Sequence, residues 1–165
     1  HCNGIIGDWD NLQAIIPGGS STPLLIKEVC MNLKMDNDSL KSAGSALGTG
    51  AIMVFDNTVD MIAIIAKLSH FYMHESCGQC TPCREGTGWI YKIISKMVTG
   101  QSSLKELDTL KSIINNIEGK TICGLGDAAT WVIKGLLKNY DYDIKERILK
   151  YQSNSNNAKI DNITL

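Results

Sequence analysis

The sequence predicts an α+β fold in which a small β-containing module precedes a helical bundle. Three observations lead there. The first sixty residues are rich in Gly, Ser, Thr and Pro, with short apolar runs set between turn clusters. From residue 58 onward the apolar side chains recur at spacings of three and four. Three of the six cysteines then crowd into seven residues beside a helix start, and a fourth lies one helical hairpin further on.

The β-containing module spans 1–57. In "IIPGGSSTPLLI" a turn cluster separates two apolar runs, the pattern of strand, loop, strand. "SALGTGAIMVFD" repeats it, with a Gly-rich turn and then "AIMVF", a short buried strand bounded by Asp56 and Asn57. Neither segment matches the dinucleotide-binding or Walker glycine patterns, so these glycines read as turn geometry.

The helical bundle spans 58–152. Val59, Ile62, Ile65, Leu68 and Tyr72 line one face of a first helix. Thr81 and Pro82 read as N-cap and first residue of a second helix, which runs to about Val98 with Trp89, Ile90, Ile93, Ile94 and Met97 inward, and Gly100 stops it. Ser103 and Glu106 form a capping box for a third helix, whose stripe is Leu104, Leu107, Leu110, Ile114 and Ile117, ended by Gly119. Asp127 is the expected N-cap of a fourth helix through Leu137, with Trp131, Val132 and Leu136 inward, and Asp141 to about Tyr151 adds a fifth. Residues 153–165 are polar and unpatterned and read as a disordered tail.

Composition excludes several functions. Hydrophobic residues make up 44% and charged residues 20% of the 165, the balance of a globular protein, and the formal charge of −1 offers no broad footprint for nucleic acid. No apolar run approaches the ~20 residues that span a bilayer, so no direct membrane contact is expected. The chain opens on His1 without a signal-peptide pattern, which reads as a processed product, a fragment or half of a split protein.

The chemistry is concentrated in "HESCGQCTPCREGTGW". Cys77, Cys80 and Cys83 form C-x2-C-x2-C, a spacing that wraps one corner of a cluster and sets three thiolates on three irons. Cys123 in "TICGLGDAA" is the natural fourth ligand, because the 39 intervening residues suffice for two antiparallel helices and a turn. Gly78 lets the backbone bend around the cluster, helix-start amides face its negative charge, and Arg84 offers a positive group. Zinc is the competing ligand for four thiolates, although its usual pattern is paired C-x2-C knuckles, and a zinc-stabilised non-redox interaction module stays open. Cys2 and Cys30 read as free thiols. His70 and His74 read as surface groups or groups supporting the ligands. Glu75 and Glu85 read as capping or ion-paired, and no catalytic acid/base set stands out.

"WDNLQAIIPGGSSTPLL", "HESCGQCTPCREGTGW" and "TICGLGDAA", in this order, resemble the C-terminal half of the family of NADH-binding flavoprotein (51-kDa-type) subunits of respiratory complex I, NADH:ubiquinone oxidoreductase. The cysteine motif is shared with flavoprotein subunits of NAD-linked hydrogenases and formate dehydrogenases, while Trp9 to Leu25 tilt the match toward complex I. The resemblance implies a β-grasp-like, soluble-ligand-binding module followed by an α-helical bundle that carries a [4Fe–4S] cluster on Cys77, Cys80, Cys83 and Cys123. It implies an electron relay in a multisubunit NADH:ubiquinone reductase, taking electrons from FMN reduced by NADH and passing them toward ubiquinone. Gly124 and Leu125 would line the flavin edge. The family's FMN- and NADH-binding half precedes everything seen here, so those cofactors would be bound mainly by a partner polypeptide, or by the rest of a longer chain. The open edge of the β-module favours the partner polypeptide. Further implied partners are the [2Fe–2S] thioredoxin-like subunit and the large iron–sulfur subunit. The implied location is the mitochondrial matrix side of the inner membrane, or the cytoplasmic side of a bacterial plasma membrane.

Overall fold

The computed structural model describes the backbone of residue 5 and residues 7–161, with side chains through residue 154. Cys2, read above as a free thiol, lies outside the described residues. After a 3-10 turn at Trp9–Asn11 come β1 (Leu12–Ile16), β2 (Leu25–Ile26), two short helices α1 (Lys27–Cys30) and α2 (Asn37–Ser42), and β3 (Met53–Asp56). Four long helices follow: α3 (Met61–Glu75), α4 (Thr81–Thr99), α5 (Leu104–Ile117) and α6 (Gly124–Asp161). The fold is a mixed α/β one, a three-stranded sheet with packed helices.

The sheet is antiparallel in the order β2-β1-β3. β1 occupies its centre because it alternates cleanly: Leu12, Ala14 and Ile16 are buried, while Gln13 and Ile15 are partly covered. β1 meets β2 through Ala14↔Ile26 and meets β3 through Ile15↔Val54 and Ile16↔Met53, with an irregularity between Leu12 and Ala14. β3 differs from the fully buried strand expected over 51–55: it begins at Met53, and all four of its residues are half-covered, as befits an edge.

One core joins sheet and helices. Ala14, Ile16 and Leu24 pack with Ile65 of α3, Ile94 of α4, Leu110 of α5 and Ile133 of α6. The helix starts follow local chemistry. Asp60 caps α3 by accepting from the amides of Ile62 and Ala63, and Ser103 with Glu106 makes the full reciprocal capping box of α5. Gly100 closes α4 in the left-handed conformation at φ 76°.

Several expectations need correction. Cys80, not Thr81, is the N-cap of α4, so Thr81 and Pro82 are its first two residues. Asp127 is not an N-cap; α6 begins three residues earlier, and the Asp127 carboxylate instead accepts from the Gly119 amide at 2.7 Å. The expected fourth and fifth helices are both present as the two arms of α6, which meet at a kink at Tyr140 (φ −126°, ψ 19°). The Asn139 side chain donates to the Gly135 carbonyl (2.9 Å), competing for the acceptor its own amide would use, and the backbone departs at the next residue. The helix also runs through Asp161, into the segment read as a tail, because propagation needs only one more bond per residue fixed. Trp89, Leu104 and Trp131 are exposed (51%, 43% and 40%) rather than inward. Each lies at the margin of its helix's apolar stripe, where spacing alone does not decide the side.

The end of the bundle remote from the cysteines is tied by Arg147. Its guanidinium donates to both Asp60 oxygens (2.7 and 3.2 Å) and to the Val98 carbonyl (2.9 Å), joining α6 to the start of α3 and the last turn of α4. Burial pushes the Asp60 carboxyl up, but Arg147 and the helix amides outweigh it and hold the group below the usual carboxylate range. A lowered folded value stabilises the protein above the unfolded pKa of about 3.9, and that contribution is lost as pH falls through the folded value. Arg147→Met is therefore expected to lower the urea midpoint at pH 7. It should also flatten the loss of stability below about pH 4, compared by urea unfolding across a pH series.

Sheet and bundle meet tightly at Gly135, where an added Cβ would lie 2.9 Å from the Leu24 amide nitrogen and 3.2 Å from Pro23 Cα. These are backbone atoms, which do not rotate away. Gly135→Ala gains about 1 kcal/mol of helix propensity but costs about 1–3 kcal/mol in overpacking. A net destabilisation of about 1 kcal/mol is expected by thermal or urea unfolding.

Candidate metal centre

The bundle alternates direction, so the end of α3, the start of α4, the end of α5 and the start of α6 share one end. All four motif cysteines lie there. Cys77 follows α3, whose last residue is Glu75 and whose C-cap is Ser76. Cys80 caps α4 and Cys83 lies in its first turn. Cys123 immediately precedes Gly124, the first residue of α6. Cys77 and Cys123 are exposed, Cys80 is partly covered, and Cys83 is buried.

Cys83 is where the four meet electrostatically. Burial pushes its thiol up, a hydrogen bond with Ser76 pulls it down, and Cys80, Cys123 and Cys77 each push it up again. All three remaining sulfurs thus act on the one that solvent screens least. The starts of α4 and α6 both point at this end, and their free amides and dipoles favour negative charge there.

The loop between Cys77 and Cys83 is held in shape before anything binds. Gly78 adopts φ 76°, a left-handed conformation that L side chains rarely take. Arg84 reaches back across the loop, donating to the Gly78 carbonyl at 3.0 Å and to Thr81 Oγ1 at 3.4 Å, while its Nε donates to Glu85 at 3.0 Å. The positive group expected at this position is a guanidinium engaged in fastening the loop. Ser76 Oγ lies 3.2 Å from Cys83 Sγ and accepts from the Gly78 amide at 3.4 Å. The Thr87 hydroxyl donates to the Cys83 carbonyl at 2.8 Å. On the far strand of the site, Thr121 donates to the Cys123 carbonyl at 2.9 Å.

Other singled-out residues fall as follows. His70 stacks edge-on against Tyr91 with centroids 4.8 Å apart, and His74 bonds Glu75 at 3.1 Å, so both histidines are exposed and engaged elsewhere. Gly124 is exposed and Leu125 half-buried against the core. Cys30 lies outside the centre, donates to the Leu25 carbonyl at 3.4 Å, and has its thiol pushed up to about 11, chiefly by burial. Sequence reasoning did not single out Ser76 or the loop-fastening role of Arg84. Both sit inside the quoted motif, but their partners are set by the loop's path.

The donor set suits an iron–sulfur cluster. It is four soft thiols with the nearby carboxylates Glu75 and Glu85 already paired to His74 and Arg84. A tetrahedral zinc needs four sulfurs at about 2.3 Å from one centre, whereas cluster thiolates bind separate irons.

Comparison with known proteins agrees with this chemistry. The chain is 54% identical over 154 residues to the mitochondrial NADH dehydrogenase [ubiquinone] flavoprotein 1 of Dictyostelium discoideum, covering 93% of this chain and 32% of that protein. It is 57% identical over 148 residues to the F subunit of the NADH-quinone oxidoreductase of Rickettsia bellii, covering 90% and 36%. The chain thus spans about a third of the length of the curated relatives it matches. Among solved structures, a chain of an NAD+-reducing [NiFe]-hydrogenase in the H2-reduced state superposes with a TM-score of 0.71 at 26% identity, over 84% of this chain and 23% of that one. The model of the NADH-ubiquinone oxidoreductase-F iron–sulfur binding region matches residues 63–147, the stretch that contains all four helix ends and all four cysteines, and the chain belongs to that family.

Proposed function

We propose that the chain is the electron-relay part of the NADH dehydrogenase module of respiratory complex I, with Cys77, Cys80, Cys83 and Cys123 as the ligands of a [4Fe–4S] cluster. The observation that supports this reading most is the gathering of four cysteines at one bundle end, with the other three each acting electrostatically on Cys83, inside a family defined by iron–sulfur binding. A cluster held there supplies reversible one-electron chemistry. The protein's own part is to present four sulfurs, to bury one of them, and to leave Cys77 and Cys123 near the surface, where electrons cross to and from neighbouring redox groups.

The remainder of the reading follows from membership of a larger assembly. Residues 1–57 are a β-grasp-like module that works beside the FMN- and NADH-binding half, and 58–152 are the cluster-binding bundle. Gly124, exposed beside Cys123, and Leu125 lie where the edge of a flavin would approach. Electrons pass from FMN through this centre toward ubiquinone, by way of the [2Fe–2S] thioredoxin-like subunit and the large iron–sulfur subunit. Among the described residues no helix is long and apolar enough to cross a membrane, which suits a peripheral arm on the matrix side of the mitochondrial inner membrane or its bacterial counterpart.

A second reading is favoured by one observation, the superposition on a chain of an NAD+-reducing [NiFe]-hydrogenase. In it the same centre serves a hydrogenase or formate dehydrogenase module. Co-purification separates the two: a nickel- or molybdenum-containing partner favours the second, and a quinone-reducing partner set favours the first.

The experiment is anaerobic isolation of the assembled complex, followed by iron and zinc analysis and EPR of wild type and Cys80→Ser. Wild type is expected to hold about four irons at this centre and to give an EPR signal on reduction. Cys80→Ser should lose or convert that signal and stop NADH-to-quinone electron flow. Stoichiometric zinc without iron at this centre would overturn the proposal and support a structural zinc module.

A further inference from the structure

The cysteine loop sets a hydroxyl within hydrogen-bond reach of a sulfur. Ser76 Oγ lies 3.2 Å from Cys83 Sγ. The same oxygen accepts from the Gly78 amide at 3.4 Å, so the approach from that side is already made by a donor. With a thiol at Cys83, either partner can donate. With a thiolate, the sulfur has no proton, and the hydroxyl alone can be the donor. Ser76 is placed for this by the end of α3, where it is the C-cap in extended backbone (φ −63°, ψ 121°). Gly78 at φ 76°, fastened through its carbonyl by Arg84, turns its amide back onto the serine.

Among the four cysteines this contact falls on the buried one. Cys83 is 6% exposed, while Cys77 and Cys123 are open to water and Cys80 is partly covered. At an exposed sulfur, water replaces a lost hydrogen bond. At a buried one nothing does, and the bond is electrostatically stronger there.

Resting on the cluster reading above, we propose that Ser76 is a positioning and potential-setting residue for the centre, donating its hydroxyl proton to the Cys83 thiolate. A donor to a ligand sulfur withdraws electron density and stabilises the more negative, reduced state, so it raises the reduction potential. The electron count is unchanged: one electron enters on reduction, one leaves on oxidation, and the serine proton stays on its oxygen throughout.

The test is an EPR-monitored redox titration of the assembled, anaerobically isolated complex carrying wild type, Ser76→Ala or Ser76→Thr. In Ser76→Ala the reduced-to-oxidised ratio at the wild-type midpoint should fall about threefold, as expected for partial loss of one charge-assisted bond. Ser76→Thr keeps the hydroxyl and should titrate with wild type. A purely structural serine would change iron content without moving the midpoint of the clusters that remain. An unchanged midpoint in Ser76→Ala, or equal shifts in both variants, overturns the inference while leaving the cluster reading intact. Should Ser76→Ala fail to load, pulsed ENDOR of reduced wild type in H2O and D2O decides. An exchangeable proton coupling present in wild type and kept in Ser76→Thr supports the inference, and its absence from wild type overturns it. A wild-type centre without iron overturns both proposals together.

Discussion

Four cysteine sulfurs gathered at one end of a helical bundle repel one another as soon as they ionise, and one of them is buried. Forming the four thiolates that a metal group needs therefore costs free energy, which binding of that group has to offset. The raised Cys83 thiol is the visible sign of this: burial comes first, then the push of the other three sulfurs. Binding a metal group must release that proton, so the centre's affinity and its stability are both linked to pH. Two features offset the repulsion without adding a formal charge. The N-terminal ends of α4 and α6 converge on the site with their partial positive charge, and the Ser76 hydroxyl lies 3.2 Å from the sulfur least able to find water.

The loop's geometry must be fixed elsewhere, because repelling ligands cannot fix it themselves. Arg84 does this from within α4. Its guanidinium spans from Glu85 on its own helix to the carbonyl of Gly78 and the hydroxyl of Thr81, so the segment between Cys77 and Cys83 is closed by a planar, multiply bonded fork. Lysine, a compact charge on a flexible stem, lacks the fixed planar fork that spans these acceptors. On the other side, the Gly119 amide bonds Asp127 and Thr121 bonds the Cys123 carbonyl, which shapes the turn that delivers Cys123 to α6.

Much of this was legible in the sequence, and the reasons for the gaps are physical. Periodicity of three and four located α3, α4 and α5 to within a few residues, because each buries one stripe against a common core. The capping box at Ser103 and the stop at Gly100 were readable because they are local hydrogen-bonding and backbone effects. The convergence of Cys123 with the other three followed from hairpin length. Trp89, Leu104 and Trp131 were misjudged because a helical wheel does not say where a neighbouring helix ends. α1 and α2 are too short to show a period, and β3 looked fully buried because its apolar run was read without knowing it forms a sheet edge. Arg147 could not be found at all, since its partner Asp60 lies 87 residues away and the pairing exists only once the bundle has formed.

That last pairing shows how the molecule separates its two tasks. Cys83 lies in the first turn of α4 and Val98 in its last, some fifteen residues or about 22 Å apart along the helix. At one end, charge is concentrated and the hydrogen bonds serve sulfur. At the other, Arg147 clamps α3, α4 and α6 together with bonds to a carboxylate and a helix-end carbonyl that would otherwise lack a partner. Sites this far apart with no shared partners respond to substitution nearly independently. A change at Arg147 therefore acts on how firmly the bundle holds, and a change at Ser76 on the electrons it is proposed to hold. The intervening core of Ile90, Ile94 and Met97, each at most 1% exposed, is packed densely enough to keep the three cysteine-bearing helix ends in register while contributing no polar group to the site.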